Sequence, residues 1–360
     1  MLTADLIQRL IAMLIGAGAG LFLCISVCNH YALQLRDHPA KFFLIQILFL
    51  VSTGGLAALG FVTGLSVWTL LPAIVLVILL TLETRTMVEG FKLEGARPVA
   101  SETAIPRLTK PFTTTDLGIL SYELEHHACP VDRLRIAHVS DIHINDRLPE
   151  SYYLEVAERI NAQQPDLVFY TGDFVSYARF IPKLDHMLSR ITAQIGQYAI
   201  LGNHDYWSDP DAVRNTLTQH NIQWVGQKPA SLSLGDSQGR ILISGCEKPW
   251  GAPVAELTAD TSDLWLVLSH TPDTIYELSE NKPAAVFAGH CHAGQFHIPM
   301  IGPIVTPSHF GRRFIHGHYL VNQTHLYLTA GIGASSPAFR VYCHPDFFVV
   351  DIKKPGARPT

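Results

Sequence analysis

From Phe42 to Leu82 the chain runs 41 residues without an Asp, Glu, Lys or Arg, and a second charge-free run extends from Leu10 to Leu35. A single helix over the longer run would measure roughly 60 Å at about 1.5 Å per residue, twice the hydrocarbon core of a bilayer. The run therefore reads as two spans with a tight turn near Gly60 to Ser66. This predicts a transmembrane region over 1–83 with helices at about 10–29, 42–62 and 66–83. Pro72 falls in the third, where neighbouring helices can satisfy the freed carbonyl. Gly16, Gly18 and Gly20 in the first span, and Gly54-Gly55 in the second, allow close backbone approach. The Gly-x-Gly-x-Gly string is no nucleotide loop, because no strand precedes it. A cleaved leader fits less well than three retained helices: Asp5 opposes Arg9 in the leading segment, and no small-residue cleavage site follows Cys28. Arg36 and Lys41 flank one side of the spans, and Arg85, Lys92 and Arg97 follow the third. With three helices both basic flanks face the cytoplasm. The expectation is a multi-pass protein of the cell membrane with its remaining domain cytoplasmic.

The rest of the composition narrows the classes. Charged residues make up 16%, where about 25% is usual. The net charge of −5 gives no whole-molecule electrostatic case for a nucleic-acid partner. Six cysteines show neither Cys-x-x-Cys spacing nor a disulfide framework. Of the 18 histidines, 16 lie after residue 125.

Residues 84–132 read as a connector broken by Pro98, Pro106 and Pro111, with an edge strand near Tyr122-Glu123-Leu124-Glu125. From 133 to 352 apolar strands alternate with helical stretches, a pattern of α/β type, and 353–360 is a tail. Helices are predicted near 150–163, 182–194, 209–220 and 273–280, and antiparallel strands from Tyr319 to Ile352. Five apolar strands each lead into Asp, Asn or His: Asp141, Asp173, Asn203, His270 and His290. Side chains after the carboxyl ends of such strands converge on one rim of an α/β sheet. The pairs Asp141/His143 and His290/His292 sit at i, i+2, where both members can face one point.

Two Asp, one Asn and several His make a mixed oxygen and nitrogen shell, suited to Mn, Fe, Zn or Co. One carboxylate can bridge two cations, which together clamp a phosphoryl group and share a hydroxide nucleophile.

The ordered blocks Asp141-x-His143, Gly172-Asp173, Gly202-Asn203-His204-Asp205, His270 and Gly289-His290-x-His292 resemble the calcineurin-like metallophosphoesterase family. The stretch His292-Ala293-Gly294-Gln295, with Pro299, Pro303 and Pro307-Ser308 after it, is similar to the membrane-anchored bacterial branch of phosphodiesterases and UDP-2,3-diacylglucosamine hydrolases. Cys291 and Ala293 depart from the Thr and Gly often found there. The resemblance implies a four-layer α/β/β/α sandwich after the transmembrane helical region. It implies two divalent ions, Mn, Fe or Zn: one on Asp141, His143, Asp173 and His292, the other on Asp173, Asn203, His270 and His290. His204 is then the acid or charge stabiliser, with Asp205 orienting it. Tyr206 and Trp207 follow the catalytic turn and either line the substrate pocket or pack in the core. Arg312 and Arg313 either clamp a second phosphate or stand in solvent.

The expected activity is hydrolysis of a phosphodiester or pyrophosphate in a lipid or lipid precursor. A tethered enzyme with a soluble substrate, and a membrane scaffold or sensor with a degenerate enzyme domain, are the alternatives. The filled ligand positions count against the scaffold. A transporter is disfavoured, because the spans hold no ionisable residue at membrane depth.

Overall fold

The computed structural model describes residues 3–30, 39–103, 109–234, 239–254, 260, 262–299, 301–303 and 305–356. The chain divides into two units: Met1–Lys92 with Ile304–Arg313, and Leu93–Pro303 with Phe314–Thr360.

The first unit is helical. It contains α1 (Ala4–His30), α2 (Pro39–Phe49), a π-helical segment Leu50–Gly54, α3 (Gly55–Thr63) and α4 (Val67–Leu93). By length and composition Ala4–Asn29, Phe43–Thr63 and Val67–Leu93 can each cross a membrane. Their outer faces are apolar: Leu14, Leu50, Val62 and Trp68 are all more than 60% exposed, as lipid solvation permits. The first span begins six residues earlier than the charge pattern predicts, since Asp5 and Arg9 pair at i, i+4 at 2.9 Å. The third continues ten residues past 83, because no proline intervenes before Pro98 and Arg85 pairs with Glu89. A turn at Gly64–Ser66 separates α3 from α4, while the loop holding Arg36 lies outside the described residues.

Backbone contact binds the first two spans. A Cβ on Gly20 would lie 2.1 Å from the Ser52 carbonyl oxygen. Ser52 in turn donates its hydroxyl to the Gly20 carbonyl at 2.9 Å. Arg9 donates to the carbonyls of Phe61 and Val62, so the start of α1 meets the end of α3. At the other end the Thr306 N–H donates to Asn29 Oδ1 at 3.0 Å, and Arg313 pairs with Glu89. The carboxyl ends of α1 and α4 therefore share one end of this unit.

The second unit holds β1 (Ala100–Ser101), β2 (Gly118–Glu125), β3 (Arg133–Val139), α5 (Glu150–Ala162), β4 (Leu167–Thr171), α6 (Ile181–Leu188) and β5 (Gly196–Ile200). Next come α7 (Asn203–Ser208), α8 (Pro210–Gln219), β6 (Ile222–Trp224), β7 (Ala230–Ser233), β8 (Arg240–Cys246), β9 (Leu264–Ser269), α9 (Ile275–Glu280) and β10 (Ala285–Ala288). The chain closes with β11 (His297–Ile298), β12 (Gly302–Pro303), β13 (Gly317–Val321), β14 (Thr324–Leu328) and β15 (Asp346–Lys353). One sheet is ordered β1-β2-β15-β3-β4-β5-β6 and the other β13-β14-β10-β9-β8-β7. Within the first, β3, β4, β5 and β6 are parallel. Within the second, β8, β9, β10 and β14 are parallel.

The alternation of the strands builds two cores. Ile136, Phe169, Ile200 and Phe348 point to the inter-sheet side, where they meet Ile243, Leu266 and Phe287. Ala137, Val168, Tyr170 and Ala199 point the other way, onto Val156 and Ile160 of α5, Leu184 and Leu188 of α6, and Val213 and Leu217 of α8. The fourth layer is thin: α9 carries Tyr276, whose ring lies 5.9 Å from that of Phe314.

Three expectations change. The segment predicted as an edge strand is part of β2, which lies inside the sheet between β1 and β15. The tail is not one antiparallel run: β13 and β14 form a hairpin, whereas β15 crosses to the other sheet and pairs parallel with β2 and antiparallel with β3. Helix α6 stops at Leu188, where Ser189 turns its N–H back to Asp185.

Candidate metal centre

Strands β3, β4, β9 and β10 release the chain within one or two residues of Asp141, Asp173, His270 and His290, and β5 does so just before Asn203. The backbone there is unusual. Asp141, His143, Asp173, His290 and His292 all have positive φ, between 44° and 69°. Left-handed geometry costs a non-glycine residue about 1–2 kcal/mol, and strain of this kind collects at functional sites. Gly172, φ 91°, precedes Asp173; a Cβ on it would lie 2.3 Å from the Gly202 nitrogen.

The side chains meet in two groups joined by one carboxylate. His292 Nε2 is 3.1 Å from His143 Nε2 and 3.3 Å from Asp141 Oδ1. His270 Nε2 is 2.9 Å from Asn203 Oδ1 and 3.2 Å from His290 Nδ1. Asp173 Oδ2 stands between the groups, 3.2 Å from His143 Nε2 and 3.3 Å from His270 Nε2. Asp141, His143, Asp173, Asn203, His270, His290 and His292 are all buried. Three sets converge closely enough to hold an ion: Asp141 with His143 and His292, Asp173 with His270 and His290, and His143 with Asp173 and His204.

Polar atoms behind the site fix which lone pairs face it. Asp141 Oδ2 accepts from the Ser140 hydroxyl at 2.6 Å and the His290 N–H at 2.8 Å. Among the described residues its Oδ1 is buried without a hydrogen-bond partner, a costly state unless something else occupies it. His270 turns Nδ1 to the Thr171 carbonyl at 2.7 Å, which orients its Nε2 toward the site. A group with two carboxylates, converging imidazoles and an orphaned carboxylate oxygen fits divalent cations.

The protein's own charges tell the same story. Burial raises the Asp173 carboxyl, yet His270, His204 and His143 pull it well below the usual range. Burial opposes protonation of His270, and Asp173 overcomes this, pushing it up to about 9. Burial and His270 together hold His290 well below an ordinary imidazole. The site thus balances the negative charge of Asp173 with protons that cations would displace.

The model of the calcineurin-like phosphoesterase family matches residues 134–294, which span all of these positions. The chain carries a calcineurin-like metallophosphoesterase domain, and it is a hydrolase. It is 28% identical over 251 residues to the metallophosphoesterase YkuE of Bacillus subtilis, covering 67% of this chain and 85% of that one. It is 25% identical over 229 residues to the UDP-2,3-diacylglucosamine pyrophosphatase LpxG of Chlamydia trachomatis, covering 50% and 70%. With the phosphodiesterase YaeI of Escherichia coli it shares 23% identity over 224 residues, covering 61% and 82%.

Within this metallophosphoesterase domain the other candidates separate. His204 is half-buried, its ring 4.6 Å from that of His143 and 4.9 Å from that of Trp207. Asp205 turns its carboxylate to neighbouring backbone groups. Its oxygens accept from the backbone N–H groups of Asp173, Phe174 and Gly202 at 2.8–2.9 Å, so it clamps the Asp173 turn onto the start of α7. Tyr206 points away from the site: its hydroxyl donates to Glu247 at 2.6 Å, and the ring packs against the core. Arg312 and Arg313 belong to the helical unit, where Glu89 takes up Arg313.

Two supporting residues escaped the sequence reading. Arg340 is fully buried and donates to the carbonyls of Ala330, Gly331, Gly333 and His292, with a nitrogen 3.3 Å from His292 Nδ1. It ties the His292 turn to a loop whose Gly333 N–H bonds the Asp141 carbonyl. Glu247 is likewise buried and accepts from the Leu201 N–H, Tyr206 and Trp224. The only signal for Arg340 was an isolated charge in an apolar stretch, and Glu247 stands beside Lys248 at the end of an apolar strand.

Proposed function

We propose that the chain is a membrane-anchored two-metal hydrolase that cleaves a phosphodiester or pyrophosphate bond in a lipid or lipid-precursor substrate. The observation that carries this reading is Asp173 Oδ2, nearly equidistant from His143 and His270. Asp141, His143, Asp173 and His292 would hold one divalent ion, and Asp173, Asn203, His270 and His290 the other, the ions being Mn, Fe or Zn. When bound, such a pair supplies charge that polarises a phosphoryl group and ionises water. His204, half-exposed beside the shared carboxylate, gives a proton to the leaving oxygen. Its N–H donates to Asp173 Oδ1 at 2.8 Å, which holds the two residues in register.

Lipid-linked substrates are supported by three spans in the same chain and by the pyrophosphatase relative, whose name specifies a diacylated sugar nucleotide. Region 1–83 is the anchor and 133–352 the catalytic domain. From the connector 84–132, β2 is counted with the catalytic domain. The basic residues Lys41, Arg85, Lys92 and Arg97 favour a cytoplasmic catalytic domain.

Metal content of the purified full chain, measured beside a hydrolysis screen, tests this. Two ions per chain and turnover of diesters or nucleotide-linked lipids are expected. Preference for phosphomonoesters, or full activity with one ion, would sink the reading. Equal turnover of one headgroup with and without acyl chains would favour a tethered enzyme with a soluble substrate. For topology, a reporter that works only in the cytoplasm, fused after Thr360, should be active.

A further inference from the structure

Tryptophan placement separates two groups. Trp224 and Trp265 spend their indole N–H groups inside the fold, on Glu247 and Ser244 at 2.7 and 2.8 Å. Trp250 does not. It is half-buried, and its N–H has no hydrogen-bond partner among the described residues. Its ring lies 5.1 Å from that of His290 and 5.8 Å from that of His270. An aromatic ring thus stands beside the His270–His290 pole of the site while contributing to neither sheet core.

The segment carrying it is firmly held. The Glu247 N–H donates to the Ala252 carbonyl at 2.9 Å, and the Gly251 N–H to the Glu247 carbonyl at 2.7 Å. The Glu247 side chain binds the Leu201 N–H at 2.7 Å, and so joins this segment to the turn that bears Asn203 and His204. Lys248 pairs with Glu277 at 2.6 Å. Trp250 is a fixed, partly open ring face with a spare donor, the equipment of a stacking platform.

We propose that Trp250 is a specificity-determining residue that receives a planar ring substituent carried by the substrate's phosphoryl group. The inference rests on the phosphodiesterase reading above. A flat heteroaromatic or aryl group gains ring contact and an N–H donor there, whereas a linear alkyl group gains little.

The test uses the metal-loaded full chain and two diesters with the same leaving group, phenyl p-nitrophenyl phosphate and butyl p-nitrophenyl phosphate. Trp250→Ala should lower kcat/KM for the phenyl ester by about 10-fold, mostly through KM, the usual scale of one stacking contact. For the butyl ester the change should be less than about two-fold, because no stacking contact is lost. Trp250→Phe, which keeps a ring, should recover most of the preference. Calorimetry with phenyl phosphate and butyl phosphate should reveal the same loss of discrimination in Kd. Equal slowing of both esters, or loss of bound metal in Trp250→Ala, would make Trp250 a packing residue and overturn the proposal. If the parent protein with two ions bound turns over neither diester, the phosphodiesterase reading fails and the proposal falls with it.

Discussion

The helical unit and the metallophosphoesterase unit are both rich in apolar residues, and they dispose of them in opposite ways. Leu14, Leu50, Val62 and Trp68 face outward from their helices, and the helices touch through glycine and a serine hydroxyl. In the second unit Ile136, Phe169, Leu266 and Phe287 are wholly buried, and polar side chains gather at the strand ends. Helices apolar enough to cross a membrane gain little in lipid from hiding their leucines, so close packing is what can bind them there. A water-solvated unit obtains its stability from a buried core, which can then support a strained, highly polar rim.

The sharpest test of this division is Asp173→Asn. A neutral amide bridges two cations poorly, so turnover should fall to background and metal content should drop, while the helical unit stays intact in detergent. Full metal occupancy with unchanged turnover would remove Asp173 from the bridging role. His204→Ala should keep both ions and lower kcat by roughly 10²–10⁴-fold, with the smaller loss on activated aryl esters, which need little protonation. Metal loss would instead make His204 a ligand, as its grouping with His143 and Asp173 allows.

Gly20→Leu attacks the other unit. The side chain would enter the Ser52 backbone, and overpacking of this kind costs about 1–3 kcal/mol or more. Thermal aggregation in detergent should begin at lower temperature, with turnover of a soluble diester changed less than about two-fold if the units answer separately.

The smallest expected effect is a pH dependence of stability. Burial opposes charge on His316 and on Asp346, but their mutual attraction raises the histidine and lowers the aspartate. The raised His316 contributes fully below 6.5, its ordinary value, and this is lost as pH rises through its folded value. The lowered Asp346 contributes above 3.8 and is lost as pH falls. The pair should therefore matter most between these limits. His316→Asn should lower Tm by about 2–4 °C near pH 6, the scale of 1 kcal/mol in a domain of this size, and by less at pH 9. Calorimetric scans at the two pH values check this, and an equal shift at both would remove the ion pair as the cause.

Much of the rim was legible because each ligand type follows an apolar strand, and strand ends on one edge of a sheet converge whatever the loops do. The positive φ angles were not legible, since Asp and His do not announce left-handed backbone as glycine does. That the Asp205 carboxylate accepts from the backbone N–H groups of the Asp173 turn was not legible either, because those groups lie 31 or 32 residues away in the chain. Tyr206 was read as open to either role, and the buried Glu247, itself unforeseen, decided it.

The sequence by itself determined the three apolar spans, the α/β alternation and which Asp, Asn and His residues stand at the strand ends as candidate metal ligands. These follow from local rules: charge is excluded from hydrocarbon over about 20 residues, and side chains alternate along a strand. Only the tertiary structure decided which carboxylate oxygen lies between the two histidine groups, and that His143 and His292, 149 residues apart, approach to 3.1 Å. It also brought the buried Arg340 behind His292 and stood Trp250 beside His290. Such contacts depend on how two sheets close on each other, a matter of packing between distant segments that no window of sequence contains.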